Sequence, residues 1–349
     1  MSRYHPLKEL LIARLREFFR EPEAIFWVYG FPILLAVGLG IAFREKPAGP
    51  EMVRVDIVQA AQQGAADELK KALEAVSGIE ARVCAEEECL GRLRMGRTDL
   101  LVVPGSPVAY RYDPMRADSV MGRARVDDAL QRAAGRSDKV ATTDELVTQP
   151  GSRYIDFLIP GLLGMNLMGG GMWGLGFVTV DMRVKKLLKR LVATPMRKSD
   201  FLLSLIGSRL IFGLPEIALL LAAGWLLFDV AIRGSLAAVL LVSLLGAVSF
   251  SGLGLLVACR AQKIETISGL MNVVMLPMWL LSGIFFSSER FPEVAQPFIK
   301  ALPLTMLNDA LRAVILEGAS MASRWPELLG LSLWGGISFL LALRFFRWT

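Results

Sequence analysis

Six apolar runs, each near or above the roughly 20 residues needed to cross a hydrocarbon core, organise this chain. They are Ile25 to Phe43, Tyr154 to Val180, Phe201 to Phe228, Ser235 to Cys259, Ile264 to Phe286 and Pro326 to Phe345. Ahead of the first, Leu7, Leu10, Leu11, Leu15 and Phe18 recur at helical spacing around Arg14. This predicts an amphipathic helix within residues 1–23, lying on the inner membrane surface until Pro22 breaks it. The long interruption at about 44–153 has a different texture. Val53 to Val58 alternates like a strand, Ala65 to Val76 is helical, Glu80 to Val83 extends again, and Glu87 to Met95 is a second helix. Asp99 to Val103, closed by Pro104, reads as a buried strand, Val108 to Tyr112 as another, and Val120 to Ala134 as a third helix. Gly135 to Gly151 is polar and reads as a flexible return. The predicted fold class is an α-helical membrane protein: one transmembrane helix at 24–43, an inserted α/β extracytoplasmic domain at 44–153, and five transmembrane helices within 154–349.

Composition agrees with the pattern, because 54% hydrophobic residues and a mean hydropathy of +0.47 are too apolar for an ordinary soluble domain. A net charge of +6 would suggest nucleic acid in a soluble protein, but here the excess sits beside span ends. Arg183, Lys185, Lys186, Lys189, Arg190, Arg197 and Lys198 lie between the second and third spans, Arg260 and Lys263 between the fourth and fifth, and Arg344 and Arg347 after the sixth. Those segments are expected in the cytoplasm, with both termini inside. A bacterial inner membrane is the expected location, membrane lipid a partner, and nucleic acid not. A secretory signal peptide is not expected at the N-terminal end, since FREKPAGP after the first run holds no small-residue cleavage site.

Candidate chemistry is sparse. Cys84 and Cys89 fall in the inserted domain, where an oxidising envelope permits a disulfide, while Cys259 ends the fourth span and is expected to stay reduced. Glu86 to Glu88 between the first two invite a metal, but two thiols without a His or a further Cys make a poor site, so no metal is expected. GRLRMGRT, Gly91 to Thr98, has phosphate-loop spacing in the wrong order, with a helix before it and a strand after. GGGMWG, Gly169 to Gly174, matches a dinucleotide fingerprint yet lies inside an apolar span, where close helix packing explains it. The one histidine, His5, lies in the N-terminal segment. No nucleotide site, cofactor or intrinsic enzyme activity is expected of this chain.

Three constellations remain. The first, within 184–194, is VKKLLKRLVAT: Leu187, Leu188, Leu191 and Val192 on one helical face, with Lys185, Lys186, Lys189 and Arg190 supplying charge. It serves either as a topological anchor or as a docking helix. The second is Glu216 after Pro215 in the third span, where an unpaired carboxylate costs about 3 kcal/mol. It is held by neighbouring spans or protonated, or it serves transport. Arg209, seven residues earlier, is about 10 Å away by helix rise, so a direct pair within one helix is not expected. The third is a pair of methionine stripes, Met165, Met168 and Met172 on the second span and Met271, Met275 and Met278 on the fifth, beside the single amides Asn166 and Asn272. Methionine suits a surface that accepts varied apolar shapes, and helix packing explains the same spacing.

Two stretches carry a family resemblance: KKLLKRLVATPMRKSDFLLSLIGSRL, Lys185 to Leu210, and MLPMWLLSGIFFSSERFPEVAQPFIKALPLTMLNDALRAVIL, Met275 to Leu316. With the overall layout they resemble the permease of ABC exporters of the second membrane-domain family, which moves drugs, lipids or polysaccharides. The resemblance implies a second protomer, homo- or heterodimeric, and separate ATPase subunits that bind ATP and magnesium. It implies that 184–194 is a coupling helix resting in an ATPase groove, with Leu187, Leu188 and Leu191 filling the groove and Glu265 a second contact or a solvated loop charge. It also implies a re-entrant hairpin at about 287–312 and a transport path lined by the second and fifth spans. The function expected is outward movement of an amphiphilic or hydrophobic substrate. The competing expectation is a non-transporting scaffold of the same fold that conveys force to an envelope partner through the inserted domain. A secondary transporter is disfavoured, since neither an inverted repeat nor paired intramembrane acids appear.

Overall fold

The computed structural model describes residues 6–43, 52–59, 64–137, 153–194 and 197–347. They divide into two compact units, Glu45–Val147 and the remainder of the chain on either side of it. His5, Pro195 and nearly all of the polar return after Gly135 lie outside the described residues, as do the side chains of Val192 and Lys198.

The larger unit is that of an integral membrane protein. Six helices have the length and apolarity of spans: Pro22–Ala42, Tyr154–Val184, Ser199–Phe228, Leu236–Ala258, Ile264–Leu281 and Met321–Phe345. A separate amphipathic helix, Pro6–Phe19, precedes them and packs on the third span, with Phe18 stacked on Phe212 at 4.2 Å between ring centroids. The fifth helix stops at Leu281, short of Phe286. Gly283 turns the chain there with φ +70°, and Asn308 and Arg312 donate to the Ser282 and Gly283 carbonyls. Ile284 to Phe286 continue the apolar run beyond the turn, and hydropathy alone does not separate such a turn from a helix. Beyond it the chain makes two short turns, a helix at Gln296–Ala301 and a buried helix at Pro303–Leu316. The last of these places Leu304, Leu307 and Leu311 in the main core beside Leu158, Leu162 and Leu163 of the second span.

Small residues decide how closely the spans approach, since lipid tails offer no hydrophobic drive for helix association. The second span passes through a π-helical turn at Gly170–Gly174. A Cβ on Gly171 would lie 2.7 Å from Cβ of Phe250, and one on Gly254 would lie 2.6 Å from the Gly171 carbonyl oxygen. The glycine run is thus the contact between the second and fourth spans. The fourth and sixth spans meet the same way, with a Cβ on Gly252 lying 2.8 Å from the Gly335 oxygen and one on Gly335 lying 2.9 Å from Cα of Ser249.

The smaller unit is a four-stranded sheet with helices packed on it. The strands are β1 (Val53–Val58), β2 (Ile79–Cys84), β3 (Leu100–Val103) and β4 (Ala109–Arg111), in the order β2-β1-β3-β4. β1 runs parallel to β2 and β3, while β4 is antiparallel to β3. Central strands buried on both faces read as continuous apolar runs, and β3, LLVV, is such a run. The helices are Ala65–Glu74, Glu86–Arg94 and Ala117–Ala133. Leu73 and Val126 join Val55, Ile57, Leu100 and Val102 in the core. Cys84 and Cys89 are joined in a disulfide with their Cα atoms 5.8 Å apart. Tyr110 donates to Asp127 at 3.1 Å, and burial together with that hydrogen bond pushes its phenol up to about 12.

The glycine contacts give a direct test of span packing. Gly252→Val forces backbone apart and is expected to cost at least about 1–3 kcal/mol, seen as lost monodisperse protein and a lower unfolding temperature in detergent. Gly336→Ala, where no atom lies within 4 Å of the added methyl, is expected to leave both unchanged.

Candidate functional site

The basic segment after the second span folds as a turn and a short helix. Lys185 ends the span, Lys186 takes the left-handed conformation at φ 59°, and residues Leu187–Val192 are helical. Their leucines are largely used by the chain itself. Leu188 is fully buried in a cluster with Leu175, Phe201, Leu205, Leu255 and Phe346, and Leu187 and Leu191 are half-buried. Lys185, Lys186, Lys189 and Arg190 are exposed. The expectation that Leu188 would fill a partner's groove is therefore corrected: the face turned outward is cationic, because the apolar stripe satisfies the unit's own third and fourth spans. Lys185 pairs with Asp181 at 2.8 Å. That hydrogen bond, with the nearby carboxylates of Glu17 and Glu21, raises its ammonium above the ordinary lysine range.

A second feature at this end was not legible in the sequence. Arg183, buried at 8% exposure, donates to the carbonyl oxygens of Ala258 (3.0 Å), Cys259 (3.1 Å) and Arg347 (2.9 Å) and to that of Ala261. Its guanidinium also lies over the Phe346 ring at 5.2 Å. The last carbonyls of a helix have no partner within it, and a cation beside them complements the helix dipole. One side chain therefore ties the foot of the second span to the foot of the fourth and to the segment after the sixth. Its partners are all main-chain oxygens, so no residue pattern announces it. Exposed Glu265 opens the fifth helix seven residues after Ala258, just beyond this knot.

The intramembrane charges also differ from expectation. Arg209 and Glu216, at 4% and 2% exposure, form an ion pair with N to O 2.7 Å, although the contact lacks hydrogen-bond alignment. The correction is geometric: a long arginine side chain laid along the helix covers the roughly 10 Å of rise between the two Cα atoms. Arg209 also donates to the Asn166 carbonyl at 3.4 Å, Asn166 donates to the Val28 carbonyl at 3.4 Å, and Tyr29 donates to that of Phe212 at 3.1 Å. Gly170 leaves the room, since a Cβ there would collide with the Arg209 guanidinium. The first three spans are knotted around this pair.

The methionine stripes close on one another within the chain. Met168, Met172, Met271, Met275 and Met278 are all nearly or fully buried in one core, and the Met271 methyl sits where a Cβ of Gly176 would lie. Met165 and Asn166 are half-buried, and Asn272 is exposed on the opposite face of the fifth span with Val273, Leu276 and Leu280. At the other end of the unit, Arg312 stacks 3.6 Å from the Phe157 ring centroid and donates to the Phe157 and Gly283 carbonyls. This pins the buried helix of the hairpin to the second span. Among the described residues, Asp56, Cys84 and Cys89 bring three ligand atoms together, but the two sulfurs are bridged and Asp56 is held by Arg92 at 2.7 Å.

The buried pair yields a prediction about energetics. Glu216→Gln strands the Arg209 charge and is expected to destabilise the protein by about 3–5 kcal/mol, whereas Arg209→Met with Glu216→Met is expected to cost clearly less. Thermal unfolding of the purified protein in one detergent compares them; equal losses would show that the pair does not act as a unit.

A model of the ABC-2 type transporter family matches residues 125–316, which contain both segments singled out above. The chain is 29% identical over 120 residues to the inner membrane transport permease YhhJ of Escherichia coli K12, covering 34% of this chain and 32% of that one. It is 27% identical over 181 residues to the ABC transporter G family member 20 of Dictyostelium discoideum, covering 51% and 24%. It is 20% identical over 337 residues to the probable multidrug ABC transporter permease YbhS of Escherichia coli K12, covering 89% of each. The match to YhhJ thus spans about a third of that relative's length.

Proposed function

Because this chain belongs to the ABC-2 type transporter family, we propose that it is the permease subunit of an ATP-driven exporter. Two such protomers and two ATPase subunits make the working complex. ATP and magnesium bind to the ATPase subunits, and this chain supplies no nucleotide site. The complex sits in a bacterial inner membrane with both termini of this chain in the cytoplasm and the α/β unit outside. The cargo is hydrophobic or amphiphilic, a reading supported by the word multidrug in the name of the relative YbhS.

The observation that carries the proposal is the outward row of cations on a helix whose leucines are anchored inward. A partner with an acidic groove meets Lys186, Lys189 and Arg190, while Leu188 fixes the helix to the third and fourth spans. Force applied to the helix by ATPase closure then passes through Arg183 to the foot of the fourth span and the start of the fifth. In this account the second and fifth spans, interlocked by Met271 and Gly176, tilt together. The face of the fifth span bearing Asn272 lines the path between protomers, and the methionine stripes act as its backing.

Reconstituted with its ATPase partner in vesicles, the protein with Lys189→Glu and Arg190→Glu is expected to lose substrate-stimulated ATP hydrolysis by about tenfold or more. The basis is reversal of two contacts in a charge-complementary interface. Insertion and unfolding temperature are expected to be unchanged, since both side chains are exposed. Unaltered stimulation in the assembled complex would reject coupling through this helix. Stable ATPase assembly with hydrolysis that no hydrophobic compound stimulates would favour the force-conveying scaffold instead.

A further inference from the structure

A cavity of about 800 Å³ opens at the end of the membrane unit opposite the basic helix, between the start of the second span, the hairpin and the start of the sixth span. Its walls are fixed by contacts within the chain. Arg312 holds the hairpin helix to the Phe157 carbonyl, Gln296 donates to the carbonyls of Ser288 (2.9 Å) and Phe291 (3.0 Å), and Trp334 of the sixth span donates to that of Ala301 (3.0 Å). The volume falls within the roughly 300–1,000 Å³ of preformed sites that enclose a drug-sized molecule.

The charges on its walls narrow the ligand. Five carboxylates, Glu289, Glu293, Asp309, Glu317 and Glu327, face three cations, Lys300, Arg312 and Arg324. Arg324 serves both Glu317 at 3.2 Å and Glu327 at 3.5 Å, and Arg312 is engaged by main-chain carbonyls and the Phe157 ring. Asp309 is left over. It is half-buried, its carboxylate oxygens are not sealed from the cavity as Oε2 of Glu327 is, and among the described residues it makes no hydrogen bond or ion pair. A carboxylate without a partner in a partly dry wall is unfavourable in its ionised form, and a cation entering the cavity relieves it. A metal ion is the poorer occupant. Its chelation needs several oxygens around one point, and among the described residues the group of three acidic or sulfur ligands within 4.8 Å of one another lies in the α/β unit. Half-buried Phe291 and Met306 instead give this cavity an apolar wall, adaptable at the thioether, that suits a hydrocarbon body.

We propose that this cavity binds the protonated form of an apolar amine. The ammonium donates to the Asp309 carboxylate, and the body lies against Phe291 and Met306. This site does not rest on the transport reading, and a binding measurement on the chain alone tests it.

Equilibrium dialysis of the full chain in phosphatidylcholine nanodiscs, with uptake by empty nanodiscs subtracted, provides the test. The probes are naphthylmethylamine, naphthylmethanol and naphthoate, which share one aromatic body and differ in charge. The amine is expected to bind about tenfold or more tightly than either of the others, the effect of a charge-assisted hydrogen bond. Asp309→Asn is expected to bring the amine down to the level of the alcohol. It is also expected to leave the unfolding temperature unchanged or raised, since the free protein loses no hydrogen bond or ion pair there. Equal binding of the alcohol or the anion by the unsubstituted chain overturns the proposal, as does amine binding that survives Asp309→Asn. Loss of folded protein or a lowered unfolding temperature in Asp309→Asn shows a carboxylate already used by the fold and overturns it too. Displacement of the amine by an equal concentration of calcium ion overturns its assignment to an organic cation.

Discussion

The Arg183 guanidinium is the group on which the geometry of the membrane unit depends at the end that carries the basic helix. It answers the carbonyls of Ala258, Cys259 and Ala261, which the end of the fourth helix leaves unsatisfied, and that of Arg347 as well. Because the acceptors belong to the main chain, the contact fixes backbone to backbone through one planar, multiply donating side chain. Every neighbouring feature uses this fixed frame. The buried cluster around Leu188 seats the basic helix on it, and the short turn to Glu265 leaves from it.

Higher in the unit a second buried arginine plays a comparable part by a different means. Arg209 is held by Glu216 and by the Asn166 carbonyl, in room that Gly170 leaves open. A buried pair of this kind gains little net stability over apolar residues of the same volume, whereas losing one partner is expensive. Its consequence is specificity of arrangement: the first, second and third spans meet in one register around it. Near the opposite end Arg312 repeats the pattern, reading the carbonyls of Phe157 and Gly283 and stacking on an aromatic ring. Three arginines thus hold three levels of the second span, each by acceptors from distant parts of the chain.

Much of the layout was legible in the sequence. Strand β1 has the bounds that alternation gave it, Val53 to Val58, and five of the six spans lie within a few residues of their apolar runs. The fifth was overrun because Ile284 to Phe286 stay apolar past a turn that Gly283 and two side-chain donors create. Periodicity was less informative about direction. The leucines of 187–191 and the methionines of the second and fifth spans read as stripes, yet a stripe states only that one face is apolar. Whether that face meets the same chain, a partner or a pathway is decided by tertiary neighbours such as Phe201 and Gly176. Separation in sequence also misled for Arg209 and Glu216, where helix rise was weighed without side-chain length. The Arg183 knot had no sequence signature, since backbone acceptors look alike in every residue type.

If the Arg183 knot makes the basic helix and the start of the fifth span one rigid body, their separation within a protomer stays fixed while the complex cycles. Spin labels at Arg190→Cys and Glu265→Cys, placed in one protomer of an ATPase-bound complex, measure it by pulsed electron resonance. The account predicts the same narrow distance distribution without nucleotide and with ATP trapped, and a broadened one in either state once Arg183→Gln is added. A nucleotide-driven shift of several ångströms in the unsubstituted knot would contradict it.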